Sequence, residues 1–228
     1  MLNETISFPP ADHATEEGVL AVGGDLSPER LIEAYKNGIF PWYSEGDPII
    51  WWSPDPRFVI FPDAARISRS MKKILNRKVF TITFDRSFEE VVEGCSAPRK
   101  NERGTWISSE MRRAYLRLHE IGLAHSVEAW RDGRLAGGLY GISLGRNFFG
   151  ESMFTRVPNA SKAAFITLAR FLSENSFNII DCQVYTAHLE SLGAVHIDRK
   201  RFMEIIKSSR PEDTIAGSWA GFSDSASC

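Results

Sequence analysis

The segment Phe177-Asn-Ile-Ile-Asp181-Cys-Gln183-Val-Tyr185 carries the most chemistry in this chain. Its apolar content is that of a buried strand, yet Asp181 and Gln183 stand two apart, which on a strand puts them on one face. A carboxylate and an amide in that setting are costly unless they meet partners or a substrate. Glu151 poses the same problem within Phe148-Phe149-Gly150-Glu151-Ser152-Met153. By residue type, Asp181 can hold and polarise Gln183, and Glu151 can meet a cationic group. An edge strand with exposed polar residues is the competing explanation, and neither pattern names a reaction.

Two other groups point to a phosphate-bearing partner with unpaired bases. No acidic residue lies between Asp63 and Asp85, whereas Arg66, Arg69, Lys72, Lys73, Arg77 and Lys78 all do. Arg66, Arg69, Lys73 and Arg77 share one broad helical face opposite Ile67, Met71, Ile74 and Leu75, and such a face makes salt-sensitive phosphate contacts. Taken alone, a solvated basic face is the simpler account. Trp42, Tyr43, Trp51 and Trp52 crowd a short stretch. Trp51 and Trp52 are successive in an extended segment, so they cannot both face one core. An exposed indole is a platform for an unpaired base, and Trp106 is another candidate.

Positioning these groups takes a regular scaffold, and the composition allows one. Of 228 residues, 43 % are apolar and 25 % charged, enough for a sizeable core. A net charge of −2 gives no global attraction to nucleic acid or membrane, so a polyanion must find a local patch. Met1 to Pro10 lacks the basic region and apolar core of a signal peptide. No apolar run reaches the ~18 residues of a spanning helix. Three widely spaced cysteines, Cys95, Cys182 and Cys228, form neither a disulfide framework nor a metal knuckle. A cytoplasmic protein is the expectation. His-Glu-x-x-His, Cys-x-x-Cys and Walker patterns are missing, so neither a metal nor a cofactor is expected. His119, His125 and His188 stand singly and read as surface or satisfied residues.

Eight of the eleven prolines fall at or before Pro62, which permits only short elements joined by turns there. One helix is clear among them. Ser27 caps it, Pro28 takes the first position, Leu31, Ile32, Ala34 and Tyr35 form its stripe, and Asn37-Gly38 closes it. Strands are then expected over 58–61 and 79–84, with a helix through Ile67 to Leu75 between them. Helices over 87–94 and 109–122 follow. Segments 126–130, 134–142 and 147–153 read as an antiparallel meander with a turn at Asp132-Gly133. Gly137-Gly138 marks a bulge or a close backbone approach. A helix over 161–174, a strand over 177–185 and a helix over 199–208 complete an α+β order that is similar, by analogy, to an acetyltransferase-type (GNAT-type) fold.

Longer motifs carry a more specific resemblance. Gly23-Gly24-Asp25-Leu26-Ser27-Pro28, Gly38-Ile39-Phe40-Pro41-Trp42 and Trp51-Trp52-Ser53-Pro54-Asp55-Pro56-Arg57 resemble motifs of the bacterial leucyl/phenylalanyl-tRNA–protein transferases. So do Ile67-Ser68-Arg69-Ser70-Met71-Lys72, Gly104-Thr105-Trp106-Ile107, Gly150-Glu151-Ser152-Met153-Phe154, Asp181-Cys182-Gln183 and His188-Leu-Glu-Ser191-Leu192-Gly193-Ala194. The order is preserved from about Phe8 to Phe202, and the last twenty or so residues match nothing informative.

The resemblance implies a small N-terminal α+β domain, residues 1–61, packed on an acetyltransferase-like mixed-sheet domain, residues 62–228. It implies transfer of Leu or Phe, less readily Met, from Leu-tRNA or Phe-tRNA to N-terminal Arg or Lys of proteins bound for degradation by the N-end rule. Tyr35, Trp42, Trp106 and Tyr115 would then surround the terminal adenosine. Leu139, Phe148, Met153, Leu168 and Ile180 would form the amino-acid pocket, and Asp181, Gln183 and Glu151 the reaction centre. Arg69, Lys72 and Lys73 match tRNA-facing positions, and Arg66 and Arg77 extend the same basic group.

Three other readings compete. An acyl-CoA N-acyltransferase needs a pyrophosphate loop that Arg134-Leu-Ala-Gly137-Gly138-Leu139 approaches poorly, since it lies in a strand. A non-catalytic RNA-binding module makes no use of Asp181 or Gln183. A sibling transferase acting on acidic N-termini fits less well with Glu151 in the site. No obvious assembly helix is left over, so a monomer is expected.

Overall fold

The computed structural model describes residues 1–97 and 107–222. Near the N-terminus, β1 (Val19–Val22) is followed by α1 (Pro28–Lys36), β2 (Phe40–Pro41) and β3 (Ile50–Trp52), the strands forming a small antiparallel sheet of order β1-β3-β2. α1 begins where Ser27 accepts the Arg30 N–H and Pro28 fills the first turn, and it ends at Asn37. Gly38 then adopts φ 68°. A side chain there would lie 2.8 Å from Met203 Sδ and 2.9 Å from the Phe202 ring, so both backbone and space call for glycine. Trp51 is fully buried with its Nε1 donating to the Gly23 carbonyl. Trp52 is half-buried and packs on Trp42. The two indoles therefore part as strand alternation requires.

The larger part runs β4 (Arg57–Ile60), α2 (Arg69–Asn76), β5 (Thr81–Phe84), α3 (Phe88–Ser96), α4 (Ser109–Glu120), β6 (Ala124–Arg131), β7 (Arg134–Leu144) and β8 (Asn147–Thr155). It continues through α5 (Ala160–Glu174), β9 (Ile179–Asp181), α6 (Ala187–Ser191), β10 (Val195–Ile197) and α7 (Arg199–Lys207). These strands form a seven-stranded sheet of order β10-β4-β9-β8-β7-β6-β5, in which β8 and β9 are parallel and the other pairs antiparallel.

The β6–β7 turn has Asp132 at φ 52° and Gly133 at φ 73°, the left-handed pair that a two-residue hairpin demands. Gly137 carries both features expected of it. The register slips beside it, and a Cβ there would sit 2.8 Å from that of Ala160.

One face of the sheet packs on α5 and α2 through Phe148, Phe165, Leu168, Ile180 and Met71. On the other, Leu31, Tyr35 and Trp51 share a cluster with Val91, Met111, Tyr140, Phe149 and Phe202. The N-terminal segment thus shares its core with the large sheet. β4 lies between β10 and β9, so the large sheet takes in residues from Arg57 onward.

Three expectations from the sequence differ from the structure. The strand over 177–185 shrinks to Ile179–Asp181, because Gln183 at φ 57° leaves the extended region. α2 starts at Arg69, where Ser68 caps it, so Ile67 and Arg66 precede the helix. The short β1, β10 and α6 had no periodicity long enough to detect. The C-terminal tail, uninformative as sequence, buries Trp219 completely; its ring stacks 3.8 Å from His125 and its backbone N–H donates to Asp85 Oδ2. Among the described residues no helix is long and apolar enough to cross a membrane.

Candidate active site

β8 and β9 pair from Asn147↔Ile179 to Phe149↔Asp181 and no further. Beyond that point a cavity of about 1260 Å³ opens, walled by Gly150 to Arg156 on one side and Asp181 to Thr186 on the other. α5 contributes Ser161, Phe165 and Leu168, and the small sheet contributes Phe40, Pro41 and Trp42. Leu139, Phe148, Met153, Leu168 and Ile180 all line it. Trp42 is 42 % exposed at the cavity. Trp106 lies outside the described residues.

Glu151 owes its direction to a β-bulge. Tyr140 pairs with Ser152 and Gly141 with Gly150, so Glu151 is the extra residue on β8. Its carboxylate meets two hydroxyls, Tyr35 Oη at 2.7 Å and Tyr115 Oη at 2.6 Å, which themselves lie 2.9 Å apart. Three contacts closed in a ring need three hydrogens. The tyrosines supply two, and the third is present when Glu151 is protonated. Burial is the chief cause that raises the Glu151 carboxyl from 4.5 to about 7; the two tyrosines oppose the shift and the charge of Asp181 reinforces it. Tyr35 and Tyr115 are fully buried and do not line the cavity. Their hydroxyls meet the Glu151 carboxylate.

Asp181 is also fully buried, with Oδ1 and Oδ2 accepting from Arg57 Nε at 2.8 Å and Nη2 at 2.7 Å. Arg57 Nη1 donates to the Gly38 carbonyl, and its guanidinium lies over the Phe40 and Phe202 rings. The link from Asp181 to Gln183 runs through the backbone: Gln183 N–H donates to Asp181 Oδ1 at 3.0 Å. Strand alternation does not relate the two side chains, because Gln183 stands past the end of β9 in a left-handed turn. The edge-strand explanation fails, since β9 sits between β4 and β8. Arg57 is the functional residue not singled out from the sequence, although an arginine in the apolar run Arg57-Phe-Val-Ile calls for a buried partner as Asp181 does.

Arg69, Lys72 and Lys73 lie exposed on α2, with Arg77 exposed at its C-cap. Arg66 is exposed but sits before the helix, its N–H bound to the Leu192 carbonyl. α2 packs on α5, a wall of the cavity, through Met71. Among the described residues, no group of three His, Cys, Asp or Glu is placed to hold a metal ion.

An apolar pocket ending on a buried carboxylate and an amide suits the transfer of an apolar acyl group to an amine, the work of an aminoacyltransferase. The model of the leucyl/phenylalanyl-tRNA protein transferase family matches residues 59–207, and that of its N-terminal domain matches residues 24–55. The leucyl/phenylalanyl-tRNA–protein transferase of Syntrophus aciditrophicus is 55 % identical over 99 % of this chain and 95 % of its own. That of Flavobacterium johnsoniae is 57 % identical over 91 % of this chain and 98 % of its own. The chain belongs to the leucyl/phenylalanyl-tRNA protein transferase family. A solved structure of L-PGS from Bacillus licheniformis, 13 % identical, aligns with a TM-score of 0.40 over 71 % of this chain and 52 % of that one.

Proposed function

We propose that this enzyme takes Leu or Phe, and less readily Met, from aminoacyl-tRNA and joins it to the α-amine of proteins that begin with Arg or Lys, marking them for degradation. The observation that carries this reading is one cavity in which Leu139, Phe148, Met153, Leu168 and Ile180 lead to Glu151, Asp181 and Gln183. Apolar walls that are mostly unbranched at Cβ, with the flexible Met153 among them, suit Leu, Phe and Met and reject polar side chains. Trp42 offers its exposed ring to the terminal adenosine, and the basic face of α2 with Arg66 receives tRNA phosphates. The parallel β8–β9 pair, diverging at the site after the α5 crossover, supports an acetyltransferase-like division of the chain with a small N-terminal domain.

The aminoacyl ester is already activated, so the protein's task is to hold an amine against its carbonyl and manage protons. Holding the reactants is worth ~7–11 kcal/mol. The incoming α-ammonium, of ordinary pKa ~8, meets Glu151, whose value of about 7 suits it to accept that proton. The free amine nitrogen then attacks the ester carbonyl carbon and the bond to the ribose oxygen breaks. One amine proton passes to that oxygen, with the neighbouring ribose hydroxyl as carrier. Gln183 holds the amine by a hydrogen bond, its turn fixed by Asp181 and Arg57. A carboxylate in the cavity favours a cationic acceptor over an acidic one.

Donor competition tests the reading. Equal amounts of tRNA charged with Leu, Phe, Met, Ser or Asp, beside acetyl-CoA, are offered with one Arg-starting peptide. Leu and Phe should dominate the product with Met behind. Acetylation of the peptide would move the protein to the acyl-CoA class.

A further inference from the structure

Tyr140 stands beside Glu151 in the ladder, opposite Ser152 where the bulge begins, and its ring lies 5.3 Å from that of Tyr115. It lines the cavity yet is completely buried, and its hydroxyl has no hydrogen-bond partner among the described residues. An unpaired buried hydroxyl is destabilising, so its retention in a packed core calls for a state in which it is paired. The ring around Glu151 supplies that state. With the carboxyl protonated, three hydrogens fill three contacts. Once the proton leaves, two tyrosine hydrogens remain for the same contacts, and the carboxylate has accepting capacity to spare.

We propose that Tyr140 is a positioning residue for Glu151, turning its hydroxyl onto the carboxylate each time Glu151 ionises. It is the reserve donor that makes the ionised form accessible in a buried site without holding it when protonated. The groups that face Glu151 from the surrounding elements are Tyr35 on α1, Arg57 on β4, Tyr115 on α4, Tyr140 on β7 and Asp181 on β9. Arg57 is committed to Asp181 and Gly38, and Tyr35 and Tyr115 already bond Glu151. Of these groups Tyr140 is the one whose polar atom has no hydrogen-bond partner among the described residues. Burial first, then the charges of Glu151 and Cys95, keep its phenol protonated. The inference rests on Glu151 ionising; its catalytic consequence rests also on the proposed reaction centre.

Tyr140→Phe removes the hydroxyl and keeps the ring. Melting at about pH 6 and about pH 9 tests the proposal without reference to activity. The variant should melt above wild type at the lower pH, where the hydroxyl is an unpaired burden, and below it at the higher, where a bond to a charged group is lost. In the pH–rate profile the acid limb should move up by about one unit, a roughly tenfold loss on that limb with near-normal rates in alkali. A melting difference of one sign at both pH values, together with an unmoved limb, would overturn the proposal. Glu151→Gln separates the two readings. If it leaves the wild-type limb in place, the reaction-centre assignment is wrong, and the sign reversal in melting still decides the role of Tyr140.

Discussion

Arg57 and Asp181, 124 positions apart in sequence, meet through two parallel hydrogen bonds of 2.8 and 2.7 Å with both side chains buried. Removing one partner leaves the other as an uncompensated buried charge. Arg57→Ala should therefore lower stability by ~3–5 kcal/mol in urea denaturation. Arg57→Lys keeps the charge but cannot reproduce the fork, so a smaller loss of stability and a fall in turnover are expected. A stability for Arg57→Ala within ~1 kcal/mol of wild type would mean that the pair is not the anchor described, since that is the scale of an exposed pair.

The Glu151 carboxyl makes activity and stability answer to pH in opposite ways. If its carboxylate takes the acceptor's proton, wild-type transfer should fall as pH drops through about 7, and Glu151→Gln should be slow with that limb abolished. For stability, the folded chain holds between 4.5 and about 7 a proton that the unfolded chain gives up. The stability this group contributes is fully present below 4.5 and lost as pH rises through about 7. Chemical denaturation across that window should show the slope in wild type and a shallower one in the glutamine variant.

Much of this scaffold is legible in the residues. α1 announces itself through Ser27, Pro28 and Asn37-Gly38, and the β6–β8 meander through alternation and Asp132-Gly133, because caps and hairpin turns are local chemistry. The apolar residues expected of one pocket do share one cavity. What escaped is non-local. The Arg57–Asp181 pair, the burial of the Tyr140 hydroxyl without a partner among the described residues and the tyrosine ring on Glu151 depend on which strands become neighbours, and no spacing encodes that. Gln183 departs from strand alternation for a related reason: a left-handed turn just past Asp181 ends the strand there.

Met153 is a half-buried wall of the cavity, so shortening it enlarges the pocket at modest cost to the core. Met153→Ala should shift donor choice toward Phe over Leu by about tenfold, the scale set by a few methylenes in an apolar pocket. Competition between Leu-tRNA and Phe-tRNA at equal concentration measures the ratio. An unchanged ratio would remove Met153 from the amino-acid pocket.

Charge reversal on α2 separates tRNA capture from chemistry. Lys73→Glu with Arg77→Glu should raise KM for aminoacyl-tRNA and reduce the salt dependence of binding by about one to two phosphate contacts, leaving kcat close to wild type. A fall in kcat with KM unchanged would place these side chains elsewhere in the reaction.

The most direct measurement follows radiolabelled Leu from Leu-tRNA into two peptides that differ in one residue, Arg or Asp at the N-terminus. Label in the Arg peptide, with at most a trace in the Asp peptide, is the predicted result, because Glu151 lines the cavity and a carboxylate there favours a cationic acceptor over an acidic one. Label in the Asp peptide instead, or in neither, would contradict the account.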